Sequence, residues 1–116
     1  MPQFLIAIHR PLDYDPLLAE DAAMTQEITD LNQAMRAAGI IVFVGGLNAP
    51  ASARSIQIQA NGEARVTPGL YLNSSEYVGG FWVVETPDLD DAISWGKKAA
   101  VACRAAVEVR PFHSRK

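Results

Sequence analysis

Apolar residues along this chain fall into runs whose spacing switches between the two-residue period of strands and the wider period of helices. Residues 3–9 hold a short run, Phe4, Leu5, Ile6, Ala7 and Ile8, ended by Arg10-Pro11. Its length suits a strand buried on both faces. Over residues 18–38 the apolar positions Leu18, Ala22, Ile28, Leu31 and Met35 recur at helical spacing, leaving Glu20, Asp21, Glu27, Asp30 and Arg36 for solvent. This predicts one long helix, with Gly39 as its C-terminal stop. Residues 40–44, Ile-Ile-Val-Phe-Val, are a β-branched run that predicts a second strand enclosed on both sides, and Gly45-Gly46 at its end permits a bulge or a close backbone approach.

Asn48-Ala49-Pro50 turns the chain into an alternating segment, residues 53–60, in which Ser55, Gln57 and Gln59 oppose Ile56 and Ile58. Asn61-Gly62 is a strong hairpin-turn pair, and residues 63–67 return, so a solvent-edged hairpin is expected here. Residues 68–77 have turn chemistry and little periodicity, which predicts a loop longer than the usual connection of about 4–6 residues. Gly79-Gly80 opens the strand Phe81-Trp82-Val83-Val84-Glu85. Thr86-Pro87-Asp88 starts a second helix along Ala92, Ile93, Ala99 and Ala100, and residues 105–109 form the last strand before Pro111.

Without the hairpin the order is βαββαβ, the split β-α-β pattern of an α+β, ferredoxin-like domain spanning residues 1–116. Such a sheet carries helices on one face only. Phe4, Ile6 and Ile8 share a face opposite Leu5, Ala7 and His9, while Val107 and Val109 should face the helices and Glu108 and Arg110 away from them. The open face is then a mixture of apolar and polar groups, suited to a homodimer that encloses a cleft.

Composition narrows the function classes. A formal charge of −3 opposes a phosphate-tracking surface, so no nucleic-acid partner is expected. The basic clusters are Lys97-Lys98 and the tail group Arg110, His113, Arg115 and Lys116, read as solvated. Cys103 is the sole cysteine, which excludes an intrachain disulfide and fits a reducing cytoplasm. Met1 leads directly into Phe4, Leu5 and Ile6 without a basic leader, and no apolar run approaches the roughly 20 residues of a membrane span, so neither export nor a membrane partner is expected.

Candidate chemistry is sparse. His9 lies near Asp13, Tyr14 and Asp15 in sequence, so a carboxylate can orient its imidazole as a general base; the competing reading is a strand-end histidine bonded to backbone or solvent. Arg110 and Arg54 are fixed cations able to clamp a carboxylate or phosphate, although Arg110 shares a face with Glu108 and an internal or cross-dimer ion pair explains it more plainly. Tyr71, Glu76 and Tyr77 flank the long loop, where a phenol and a carboxylate can line a pocket mouth with Trp82 as its wall; alternatively Trp82 is a core or interface residue. Two distant histidines and one cysteine make none of the usual zinc sets, and Asp88, Asp90 and Asp91 read as helix-cap and dipole partners rather than a calcium site. No metal or cofactor is expected.

Particular stretches resemble the YCII-related family in its DGPF-domain branch: Met35-Arg36-Ala37-Ala38-Gly39, Gly45-Gly46-Leu47, the run from Gly79-Gly80-Phe81-Trp82 to Glu85, Asp88-Leu89-Asp90-Asp91-Ala92, and Val107-Glu108-Val109-Arg110-Pro111. The resemblance covers nearly the full chain. It implies a ferredoxin-like fold of the dimeric α/β-barrel type. The family's Asp-Gly-Pro-Phe falls on Pro68-Gly69-Leu70-Tyr71, so residue 68 has no titratable group here, and the first helix lacks the histidine that some of the wider family carry. The preferred expectation is a homodimer that binds a small, anionic metabolite in a cleft on the open sheet face, lined by His9, Tyr71, Glu76, Trp82 and Arg110. The alternatives are a weak lyase, isomerase or dehalogenase with His9 as general base oriented by Asp13 or Glu76, and a structural or regulatory interaction protein.

Overall fold

In the computed structural model, which describes residues 1–114, the strands fall into two separate sheets. The first is antiparallel and has four strands: β1 (Gln3–Pro11), β2 (Ile41–Gly46), β5 (Glu76–Glu85) and β6 (Ala106–Pro111), in the order β2-β5-β1-β6. The second pairs β3 (Arg54–Ile58) with β4 (Ala64–Pro68). Helices α1 (Pro16–Ala19), α2 (Ala22–Ala37) and α3 (Leu89–Cys103) complete a mixed α+β architecture, with a single 3₁₀ turn at Pro50–Ser52. The strand order is consistent with a ferredoxin-like fold. Of the basic tail group, Arg115 and Lys116 lie outside the described residues.

The single helix expected over residues 18–38 is two helices. Asp15 accepts from the Leu17 N–H at 3.0 Å and Asp21 from the Met24 N–H at 2.8 Å, so each helix has its own N-cap, and Glu20 between them is extended. An aspartate that can satisfy free N–H groups competes with helix continuation and wins here. Gly39 does end α2, with φ +71°. At the far end of α3 the left-handed residue is Arg104, φ 51°, whose guanidinium reaches Glu27 at 2.9 Å and Asp21 at 3.6 Å and so ties α3 to the start of α2.

β5 starts five residues earlier than its apolar run suggests, because Glu76, Tyr77 and Val78 pair with Pro11, Arg10 and His9. The register then slips: Ile8 opposes Gly80 while His9 opposes Val78, leaving Gly79 as the extra residue of a bulge. β2, expected to be enclosed, is an edge strand whose Val42 and Phe43 are half exposed.

The core lies between the sheet and the pair α2 and α3. Phe4, Ile6, Ile8, Trp82 and Val84 meet Leu31, Met35, Ala92, Ala99 and Ala102, with Val107 and Val109 packed alongside. Small residues let α3 approach closely: a Cβ at Gly96 would come within 2.7 Å of Val109 Cγ2. The radius of gyration, 16.3 Å, exceeds the roughly 13 Å of a compact chain of this length, as the separate β3–β4 ribbon leads one to expect.

Candidate functional site

The inward positions of β1 continue past Phe4, Ile6 and Ile8 to Arg10, which is as buried as they are. A guanidinium does not lose its charge on burial, so it must be compensated by hydrogen bonds or counter-charge. Arg10 donates to the Cys103 carbonyl at 2.7 Å and lies over the Tyr14 ring, 4.4 Å from its centroid. Among the described residues no carboxylate comes within ion-pair distance of it. The bulge makes its place: a Cβ at Gly79 would sit 2.7 Å from Arg10 Cγ, so glycine there leaves room for the side chain.

Arg10 lines a cavity of about 260 Å³ on the helix side of the sheet. Its walls are Ile8, Ile28, Val44 and Trp82, strand glycines Gly45, Gly46, Gly79 and Gly80 floor it, and Tyr14, Pro16 and Glu20 close it from the segment after β1. Tyr77 and Cys103 reach it as well. The indole N–H of Trp82 donates to Asn32 Oδ1 at 2.7 Å, which fixes the ring between sheet and α2. The Tyr14 hydroxyl donates to Glu20 at 2.5 Å. Burial, then this bond, push the phenol up to about 12, although Arg10 pulls the other way, so at neutral pH it is a proton donor. Burial also raises the Cys103 thiol against the pull of Arg10, which leaves it protonated and unsuited to nucleophilic attack.

The residues singled out from sequence do not converge. Trp82 is not on the open face: it pairs with Ile6 and points with it toward the helices, which makes it a wall of the inner cavity. His9 sits between Val78 and Ala106 on the opposite face, half-buried, and no hydrogen bond among the described residues joins it to Asp13 or Glu76. Asp13 and Glu76 are exposed; Glu76 serves through its carbonyl, which accepts from Ser74 Oγ. Tyr71 is exposed and borders a separate shallow hollow with Leu12 and Pro50. Arg110, opposite Leu5 on the open face, forms no ion pair with Glu108 within the chain. Arg54 bonds the carbonyls of Ala51 and Ala53.

The polar groups that do converge, Arg10, Tyr14 and Glu20, come from one stretch of sequence, whereas Tyr77 and Cys103 arrive from β5 and α3. One signal for Arg10 was readable: its place in the alternation with Phe4, Ile6 and Ile8. As arranged, the cavity offers a fixed cation, a phenolic donor and apolar or aromatic walls, which suits a small molecule with an acidic group. No group of three or more His, Cys, Asp or Glu side chains among the described residues is placed to hold a metal ion, and no helix is long and apolar enough to cross a membrane.

No curated protein matches the chain. Residues 1–113 match the family model of the YCII-related domain, and the chain belongs to that family.

Proposed function

We propose that this YCII-related chain is a homodimer of ferredoxin-like subunits of the dimeric α/β-barrel type, paired through the open sheet face, and that each subunit binds a small carboxylate in the cavity around Arg10. The observation that carries the reading is a buried guanidinium lining a cavity with no carboxylate among the described residues in ion-pair contact with it, the Glu20 carboxylate on the same cavity being taken up by the Tyr14 hydroxyl. An acidic ligand supplies the missing counter-charge through two parallel hydrogen bonds, while Trp82 and Ile28 take up its apolar body. Pairing through the open face is supported by the exposure there of Phe43, opposite Val83, and Val78, opposite His9.

Calorimetric titration with benzoate tests the site. The wild type should bind it, and Arg10→Met, which keeps the stem's bulk, should weaken binding by about 10- to 100-fold, the worth of hydrogen bonds to a charged group. Equal affinity in the variant would remove Arg10 from the site. A second reading, weak acid–base catalysis of the lyase or isomerase kind, draws support from the Tyr14–Glu20 pair on the cavity rather than from His9, which lies on the other face.

A further inference from the structure

The β3–β4 ribbon is amphipathic. Ile56 pairs with Val66 and Ile58 with Ala64, so these four share one side, while Ser55, Gln57, Arg65 and Thr67 share the other, where Arg65 donates to Gln57 at 3.3 Å. Nothing among the described residues covers the apolar side: Ile56, Ile58 and Val66 are 64, 69 and 59 % exposed. A two-stranded sheet is marginal in water by itself, and a bare apolar side on it marks a contact surface.

A second uncovered surface lies on residues 12–20, the strap that closes the cavity. Leu17 and Leu18 are 91 and 87 % exposed there, beside a half-exposed Leu12. Strap and ribbon leave the same end of the main sheet, because β1 and β2 are both antiparallel to β5 and so run parallel to each other. Their charges are opposite. From Leu12 to Asp21 the chain carries Asp13, Asp15, Glu20 and Asp21 without a Lys or Arg, whereas the apolar side of the ribbon carries Arg54, in register with Ile56 and Ile58, and no acidic residue; Arg65 lies on the other side. Within one chain the two surfaces do not cover each other, as their exposures show.

From this complementarity we infer that the β3–β4 ribbon is an arm that lays its apolar side on the residue 12–20 strap of a second copy, with the partner's arm returning the contact. The inference rests on the dimer part of the reading above. A contact between two unlike patches is satisfied twice by a two-fold axis, which closes the assembly and leaves neither surface bare. The strap supplies Tyr14, Pro16 and Glu20 to the cavity, so the arm of one subunit braces the cavity wall of the other.

Amide hydrogen exchange across a range of protein concentrations, with sedimentation on the same samples, tests the arm. Amides of residues 56–58, 64–66 and 17–20 should become protected together as dimer forms. The double variant Leu17→Ser, Leu18→Ser removes side chains exposed in the single chain, so the fold is kept; it should strip protection from the ribbon and raise the dimer dissociation constant about tenfold or more. A dimer whose ribbon and strap exchange as freely as in the monomer overturns the arm and leaves the dimer standing, as does a ribbon protected in wild type and variant alike. A chain that stays monomeric at every concentration overturns both, while benzoate titration reports on the cavity independently. If the dimer persists at the lowest concentration, ribbon protection in the double variant decides: lost supports the arm, kept overturns it.

Discussion

The two faces of β1 carry different kinds of residue and different degrees of freedom. On the inner face Phe4, Ile6 and Ile8 are locked among α2 and α3, and the series ends in a buried cation beside a cavity. On the outer face Leu5 and Ala7 run on to His9, with Glu108 and Arg110 opposite on β6 and no helix above them. The residues with the most evident chemistry in the sequence, His9 and Arg110, stand on the outer face. The groups that share a cavity stand on the inner one. A polar residue at an inward position of a buried strand is therefore a better pointer to a site than a histidine at an outward one, because burial is costly and is kept only where something compensates it.

The sharpest test of this division is the size of the loss on truncation. Trp82→Ala should destabilise by about 3–5 kcal/mol in denaturant unfolding, since it empties the space between Ile6 and α2 and strands the Asn32 acceptor. Arg110→Ala, exposed on the outer face of the single subunit, should change stability by no more than about 0.5 kcal/mol when unfolding is followed from the monomer at high dilution. Comparable losses in the two variants would erase the distinction. Gly96→Ala comes next. Its Cβ would meet Val109 Cγ2 at 2.7 Å, and overpacking of about 1–3 kcal/mol should outweigh the gain of about 1 kcal/mol that alanine brings to a helix. A stabilised variant would show that α3 can move off the sheet freely.

Much of the fold was legible because local chemistry and tertiary packing agree. The β-branched run before Gly45, the Asn61-Gly62 turn, the Asp88 cap and the left-handed Gly39 all act where the sequence suggests. The break at Glu20 was hidden because Leu18 fits a helical stripe that it does not join; its side chain is exposed. The early start of β5 was hidden because Glu76 and Tyr77 read as the end of the long loop until β1 pairs with them. The site was less legible than the fold. Arg10 reads in the sequence only as the end of the first strand, although it continues the inward alternation; Trp82 faces the cavity through its register with Ile6, and the Cys103 carbonyl reaches Arg10 from a distant helix end. Neither follows from spacing along the chain.

A smaller effect should appear in alkali. The folded state holds the Tyr14 proton up to about pH 12, against 10.0 for the free side chain, so stability from this group is complete below pH 10 and is lost as pH rises toward 12. Cys103, also raised by burial, contributes a loss that begins above pH 9. Stability measured against pH for wild type and Tyr14→Phe separates the two: the difference between the curves should be flat up to pH 10 and shrink above it. A difference that stays flat to pH 12 would mean that neither the burial of Tyr14 nor its bond to Glu20 persists in solution.

The smallest expected effect concerns His9. Its ring lies on the outer face between Val78 and Ala106, outside the cavity, so His9→Ala should leave benzoate affinity within about twofold of wild type, below the roughly 0.5 kcal/mol scale of an uninvolved surface site. Arg10→Met, the next residue but on the other face, should abolish most of that affinity. The pair of measurements is informative because the residues are adjacent in sequence and share a strand: any effect transmitted through loss of β1 would appear in both, whereas an effect confined to the inner face appears in one. If His9→Ala weakened binding as much as Arg10→Met, the ligand would have to contact the open face, and the cavity on the helix side would no longer account for binding.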